Sequence, residues 1–286
     1  MMITKKWIIG GLILVVIGYI ILTIVPNMFV KKGMTPERVK QVQIIAHRGG
    51  AGLGLENTLS CIEKGINSGA HIIEIDIHLS KDGHLIVCHD QTVDRTTNGK
   101  GRIRDMTLDE IRKLRIIDEN GNPTDEQLPT LAEVLELING RAILLIEIKR
   151  TGKIYQGIEQ KTLDEIEKFQ ACSWVIIQSF NDSVLKTIHA INPDLRLEKL
   201  IVFKFAGLPF IFDGTFTRFS FKKYHYISSF NILHISASPR FIRSIHKQNK
   251  EVKIWTLDGP SSARNLHVDG VITDRPDLWI ELKHTL

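Results

Sequence analysis

Four side chains suited to acid–base or metal chemistry fall within 43 positions: His47, Glu74, Asp76 and His89. They sit in the runs IIAHRGG (44–50), IIEIDIHLS (72–80) and LIVCHD (85–90), whose other residues are mostly apolar and β-branched. Such runs read as buried strands, where an unpaired carboxylate costs several kcal/mol. Charge retained there points to use. Period-two alternation sends Glu74 and Asp76 to one face and Ile73, Ile75 and Ile77 to the other. Glu147 repeats the pattern between Ile146 and Ile148, with Lys149 beside it. Three carboxylates suit a hard cation, Mg²⁺ or Ca²⁺, better than a soft-ligand zinc site. The alternative is that these acids only pair with Arg48 and Lys149. His47 leads into Arg48-Gly49-Gly50, a pairing of guanidinium and close-approach backbone that fits an anion. His89, with Asp90 behind it, resembles an imidazole oriented by a carboxylate for proton transfer. A cation site, two proton carriers and an anion-binding turn predict chemistry on a phosphate ester. His78 continues the Glu74–Asp76 alternation and is expected nearby.

These residues need a scaffold that gathers strand ends. Strands are expected at 43–47, 72–78, 84–88, 142–148, 174–178, 195–202, 225–228, 232–235, 252–256 and 270–273. Helices are expected at 57–68, 107–114, 130–138, 157–169, 181–190, 239–248, 260–266 and 276–283. Thr107, Thr130, Asn181 and Ser238 mark helix starts, the last followed by a first-turn proline. Alternating strands and helices over about 245 residues predict an α/β fold, a closed (β/α)₈ TIM-type barrel, with an open doubly wound sheet as the competitor. In a barrel the site forms at the C-terminal strand ends. His47, Glu74, Asp76, His89, Glu147, Lys149, Gln178 and Trp255 all lie in or just after predicted strands.

The first thirty residues read differently. Residues 7–25 carry no charge, and nineteen helical residues cover about 28 Å, close to the thickness of a bilayer's apolar core. Lys5, Lys6, Lys31 and Lys32 flank the run, and VPNMFVKKG offers no small-x-small cleavage site. The expected layout is a membrane anchor at 1–30, a linker at 31–42 and a barrel domain at 43–286. The Lys/Arg count on either side favours a cytoplasmic catalytic part, whereas a short tail before a long domain favours export; the expectation leans to an extracytoplasmic catalytic domain on a single-pass membrane protein. Net charge is +5, and no basic stripe with a recognition motif points to nucleic acid. Cys61, Cys88 and Cys172 form no CxxC and read as small core residues rather than a disulfide or zinc framework.

AHRGG, LENTL (55–59) and EIDIHLSKDGHLIVCHD resemble the glycerophosphodiester phosphodiesterase family. The resemblance continues through 94–114, LPTLAEVLELI (128–138), LIEIK (145–149), IIQSF (176–180), VKIWTLD (252–258) and VDGVITDRPD (268–277). It implies a barrel, a divalent metal on Glu74, Asp76 and Glu147, and an acid–base pair formed by His47 and His89. It further implies hydrolysis of glycerophosphodiesters to glycerol 3-phosphate and an alcohol, with Arg48, Lys149, Glu56 and Trp255 as substrate-binding candidates. A lysophospholipase D using the same site on lysophospholipids is the near rival, and a catalytically silent membrane-tethered binding protein the distant one. Leu55 stands where the family commonly has proline, 257–260 lacks a frequent asparagine, and 203–222 fits poorly. That last segment holds seven of the twelve phenylalanines, with Lys204, Arg218, Lys222 and Lys223 interleaved or adjacent. It reads either as a core strand and helix or as an apolar, basic lip at a lipid interface.

Overall fold

The computed structural model describes residues 33–149, 155–259 and 265–286. The predicted span at 7–25 and most of the predicted helix at 260–266 lie outside them. Among the described residues, no helix is long and apolar enough to cross a membrane. A short helix, α1 (Pro36–Gln41), occupies part of the segment expected to be linker; its Val39 is buried, as is Val42 after it.

Eight parallel strands then close a barrel: β1 (Gln43–Ala46), β2 (Ile72–Leu79), β4 (Ile143–Ile148), β5 (Val175–Ser179), β6 (Arg196–Ile201), β10 (Ser229–Leu233), β11 (Glu251–Trp255) and β12 (Gly270–Thr273). Each pairs with the next, and β12 returns to β1. Around it lie α2 (Leu59–Asn67), α3 (Leu108–Ile111), α4 (Leu131–Ile138), α5 (Ile158–Lys168), α6 (Asp182–Ile191), α7 (Pro239–His246) and α8 (Pro276–Thr285). The expected caps form: Thr107 and Thr130 each close a capping box, and Asn181 and Ser238 accept from the first turn.

Alternation sorts the apolar residues into two layers. Ile73, Ile75, Ile77, Ile146 and Ile148 join the core between barrel and helices. Ile45, Ile72, Leu145, Ile176 and Ile272 form a separate cluster, the floor of the barrel interior. Above that floor the inward positions turn polar.

Three segments depart from the sequence expectation. The run at 84–88 supplies β3 (Leu85–Val87), which pairs antiparallel to β2 and stands outside the barrel. One strand, β10, replaces the two expected at 225–228 and 232–235, because Tyr224 and Ile227 are buried in a turn, with the Ile227 N–H donating to the Tyr224 carbonyl. The Phe-rich segment forms three short antiparallel strands, β7 (Phe203–Lys204), β8 (Phe210–Phe212) and β9 (Phe216–Arg218), and no helix. Cys61 and Cys88 are buried as expected, whereas Cys172 is exposed.

Candidate active site

The site starts at the turn leaving β1. His47–Gly49 form a single 3₁₀ turn, with Arg48 at φ 51° and Gly49 at φ 83°, both in the left-handed region that favours glycine. Helix α2 presses directly on this turn. A Cβ at Gly65 would meet the Gly49 carbonyl oxygen at 2.3 Å, so only glycine permits the approach. Held this way, the Arg48 backbone N–H donates to Glu74 Oε2 at 2.9 Å. Asn57, also at positive φ, donates to Asp76 Oδ2 at 2.9 Å.

Strand register brings the acids together. Asp76 of β2 lies level with Glu147 of β4, Gln178 of β5 and Glu198 of β6, and all four are buried. One carboxylate oxygen each from Glu74, Asp76 and Glu147 falls within 4.8 Å of the others. Lys149 Nζ lies 2.7 Å from Asp76 Oδ1 and 3.1 Å from Glu147 Oε1. Burial, followed by the neighbouring Asp76 charge, pushes the Glu74 carboxyl up to about 7. Burial likewise raises Glu147. At Asp76 burial is outweighed by Lys149, His89 and Arg48, which hold the carboxyl below its ordinary range. Two of three acids thus resist ionisation despite the adjacent cations. Asp76 Oδ1 is buried without a hydrogen-bond donor, faced only by the Lys149 ammonium as an ion pair. An all-oxygen cluster short of positive charge fits a hard divalent cation.

The two histidines reach this cluster by different routes. His47 ends β1, and its Nδ1 lies 2.6 Å from Asp274 Oδ1, beyond the end of β12. His89 arrives on the antiparallel hairpin: β3 descends beside β2, the Cys88 N–H donates to the Asp76 carbonyl at 3.0 Å, and His89 follows. Its Nδ1 lies 2.7 Å from Asp90 Oδ1. A carboxylate only accepts, so each imidazole carries its proton on Nδ1 and leaves Nε2 for chemistry. Burial opposes charge on His47, but the Asp274 hydrogen bond and the Glu74 field win and raise its pKa. For His89, burial and then Lys149 lower it.

A chain of ion pairs links the two loops. Arg95 donates to Asp90 Oδ2 at 2.7 Å and grips both Glu56 oxygens at 2.8 and 2.7 Å, while Arg48 meets Glu56 at 3.0 Å. Glu56 is thereby a clamp between two arginines. His78 faces the His89 carbonyl at 3.1 Å through Nε2 and packs edge-on to Tyr155.

Sequence reasoning placed Gln178 and Trp255 at the strand ends but missed Asn231, Glu198 and Lys253 beneath them. Gln178 donates to Glu74 Oε1 at 3.0 Å. Asn231 donates to Gln178 Oε1 and Glu198 Oε2, both at 2.8 Å, and Glu198 pairs with Lys253 inside the barrel. Trp255 packs over the interior cluster and against Phe180, and its indole N–H donates to the Asn231 carbonyl at 3.0 Å. Period-two alternation in RLEKLI, SFNIL and EVKIW was the available signal. Asp274, Asn57 and Arg95 had no comparable local mark.

Known proteins resemble this chain over most of its length. A glycerophosphodiester phosphodiesterase of Caldanaerobacter subterraneus is 37% identical over 246 residues, covering 84% of this chain and 96% of that protein. One from Bacillus subtilis is 33% identical, covering 93% of this chain and 94% of that protein. An Oleispira antarctica phosphodiesterase structure, in complex with the product sn-glycerol-3-phosphate, superposes with a TM-score of 0.71 at 25% identity, covering 85% of this chain and 97% of that chain. The sequence profile of the glycerophosphoryl diester phosphodiesterase family matches residues 47–278, from the first site histidine into the last helix, and the chain belongs to that family.

Proposed function

We propose that this phosphoric diester hydrolase cleaves glycerophosphodiesters to glycerol 3-phosphate and an alcohol by acid–base catalysis at a metal-assisted site. The observation that carries the reading is the Glu74–Asp76–Glu147 cluster attended by His47 and His89, each imidazole fixed through Nδ1 by its own aspartate. A divalent cation, Mg²⁺ or Ca²⁺, held by the three carboxylates would withdraw charge from the phosphoryl oxygens. Arg48 and Lys149 neutralise the rest of the phosphate and hold it in place. His89, whose pKa burial and Lys149 lower, takes the proton of the attacking oxygen at Nε2; the attacker is water, or the glycerol 2-hydroxyl, which forms a cyclic phosphate that water then opens with the two histidines exchanging roles. His47, whose pKa Asp274 and the Glu74 charge raise against burial, gives its Nε2 proton to the departing alcohol as the P–O bond breaks. Trp255 supplies an apolar wall for the glycerol.

Turnover of glycerophosphocholine should be lost on EDTA treatment and restored by one of the two cations. His47→Ala and His89→Ala should each lose turnover while keeping the native circular dichroism spectrum. Full activity in either histidine variant, or in the metal-stripped enzyme, sinks the mechanism. The lysophospholipase D reading rests on the exposed aromatic residues described below, and lysophosphatidylcholine as substrate separates the two. The uncharged run at 7–25 extends the proposal to a single-pass membrane protein with an extracytoplasmic catalytic domain.

A further inference from the structure

We propose that the aromatic face of the β7–β9 sheet docks the catalytic rim onto an anionic lipid surface. Register sorts the Phe-rich segment cleanly. Phe203 pairs with Phe212, Phe212 with Phe216 and Phe210 with Arg218, while Lys204, Ile211 and Thr217 occupy the alternate positions. Ile211 is fully buried, so the alternate face looks into the protein. On the outer face the rings meet: Phe203 stacks on Phe212 at 5.2 Å, and Phe216 lies tilted against Phe212 at 5.4 Å and Phe205 at 5.6 Å. Phe216 is 73% exposed, Leu208 54% and Phe210 40%. The remaining two phenylalanines, Phe219 and Phe221, turn instead toward Tyr224, Phe230 and Phe241.

Single exposed apolar residues are ordinary, but a contiguous aromatic face marks an interaction surface. Its charge selects the partner. Between residues 203 and 223 the only acid is Asp213, which is buried and bound by Lys199 at 2.8 Å. Arg218 and Lys222 are exposed on the same insert. Aromatic rings with exposed cations on the same segment and no exposed acid within it complement an anionic bilayer interface. The placement gives docking a consequence. β7 begins two residues after barrel strand β6 ends, on the side where the site lies. Lys199 ties Asp213 to the Phe180 carbonyl, and the Phe180 ring packs on Trp255 at 5.7 Å. The sheet is thus braced to the mouth it would seat.

The test uses the full chain reconstituted in phosphatidylcholine vesicles with and without phosphatidylglycerol. Cys61 and Cys88 are buried, so in a Cys172→Ser background a Phe216→Cys substitution takes an environment-sensitive fluorophore at one position. Its emission should shift to the blue only with phosphatidylglycerol present, while a label at Gln248→Cys, near the start of β11, should stay water-like. Water-like emission at 216 in both vesicles overturns the proposal, as does a blue shift of equal size in both, which would mean that the face is covered without anionic lipid. Arg218→Ser with Lys222→Ser should weaken the apparent affinity read from the lipid-dependent shift roughly 30-fold and leave glycerophosphocholine turnover unchanged. An unaltered shift in that variant also overturns it. Glycerophosphocholine turnover reads the hydrolytic reading separately, so the two can fail independently.

Discussion

Asp274 decides how long His47 keeps its proton. His47 is raised and His89 lowered from the same ordinary value of 6.5, so around that value His47 holds its proton the more firmly of the two. Acid activity of His47 is lost as pH rises through its raised pKa, and base activity of His89 is lost as pH falls through its lowered one. The profile of kcat/KM should be bell-shaped. Asp274→Asn removes the partner that raises His47, so the alkaline limb should move to lower pH while the acid limb stays. A profile with both limbs unmoved would remove Asp274 from the mechanism. A second prediction concerns the cation site. Gln178→Leu deletes the amide that orients Glu74 and should weaken divalent-cation binding roughly 10- to 100-fold, read by titration calorimetry, with the native circular dichroism spectrum retained. Asp274 also shows where sequence reading stops. Glu74, Asp76 and Glu147 announce themselves because charge inside an isoleucine run is costly and local. Asp274 lies 227 residues from the histidine it serves, and its own neighbourhood, TDRPD, reads as an ordinary polar turn.

The element that sets the geometry is the turn between β1 and α2. Because Gly65 of α2 touches the Gly49 carbonyl, the helix acts as a stop that keeps the Arg48 amide on Glu74. Gly65→Ala places a methyl into backbone that cannot move aside. Overpacking of this kind costs about 1–3 kcal/mol, which urea denaturation should report, together with reduced kcat/KM as the Arg48–Glu74 contact opens. Unchanged kcat/KM with lowered stability would separate the turn from the site. Most elements were legible because period and caps agree, as with Thr130 opening α4. The hairpin of β3 was read as a strand without its direction, although residues 80–84, with Asp82-Gly83, are too few for a parallel crossover and mark a hairpin. That direction matters, because only a descending β3 returns His89 to the level of Asp76. The β7–β9 sheet was left between two readings, because dense phenylalanine indicates burial or an interface and only register sorts the two faces.

On the scale of the whole molecule, the membrane reading and the hydrolytic reading use opposite ends of the barrel. α1 precedes β1 at the N-terminal strand ends, and His47 follows β1 at the C-terminal ends. Ten residues, 26–35, separate the proposed span from α1 and reach at most about 33–36 Å when extended. A five-residue strand is only about 17 Å long, so the tether is long enough for the barrel to tip and bring its aromatic rim to the same bilayer. The closed strand ring needs nothing before β1, and the first site residue is His47. α1 must be kept, because Val39 and Val42 are buried and Lys283 donates to the Val42 carbonyl at 2.6 Å. A chain of residues 33–286 should therefore fold and hydrolyse glycerophosphocholine within about twofold of the intact protein's kcat/KM, the range expected when no contact of the site is touched. The intact protein should remain with membranes through a carbonate wash. The shortened one should bind phosphatidylglycerol vesicles weakly and be released by salt, because screening removes the cationic part of an interfacial attachment. Carbonate extraction of the intact chain would end the anchor proposal. Salt-insensitive binding of the shortened chain would mean that the aromatic face holds the bilayer without help from its charges.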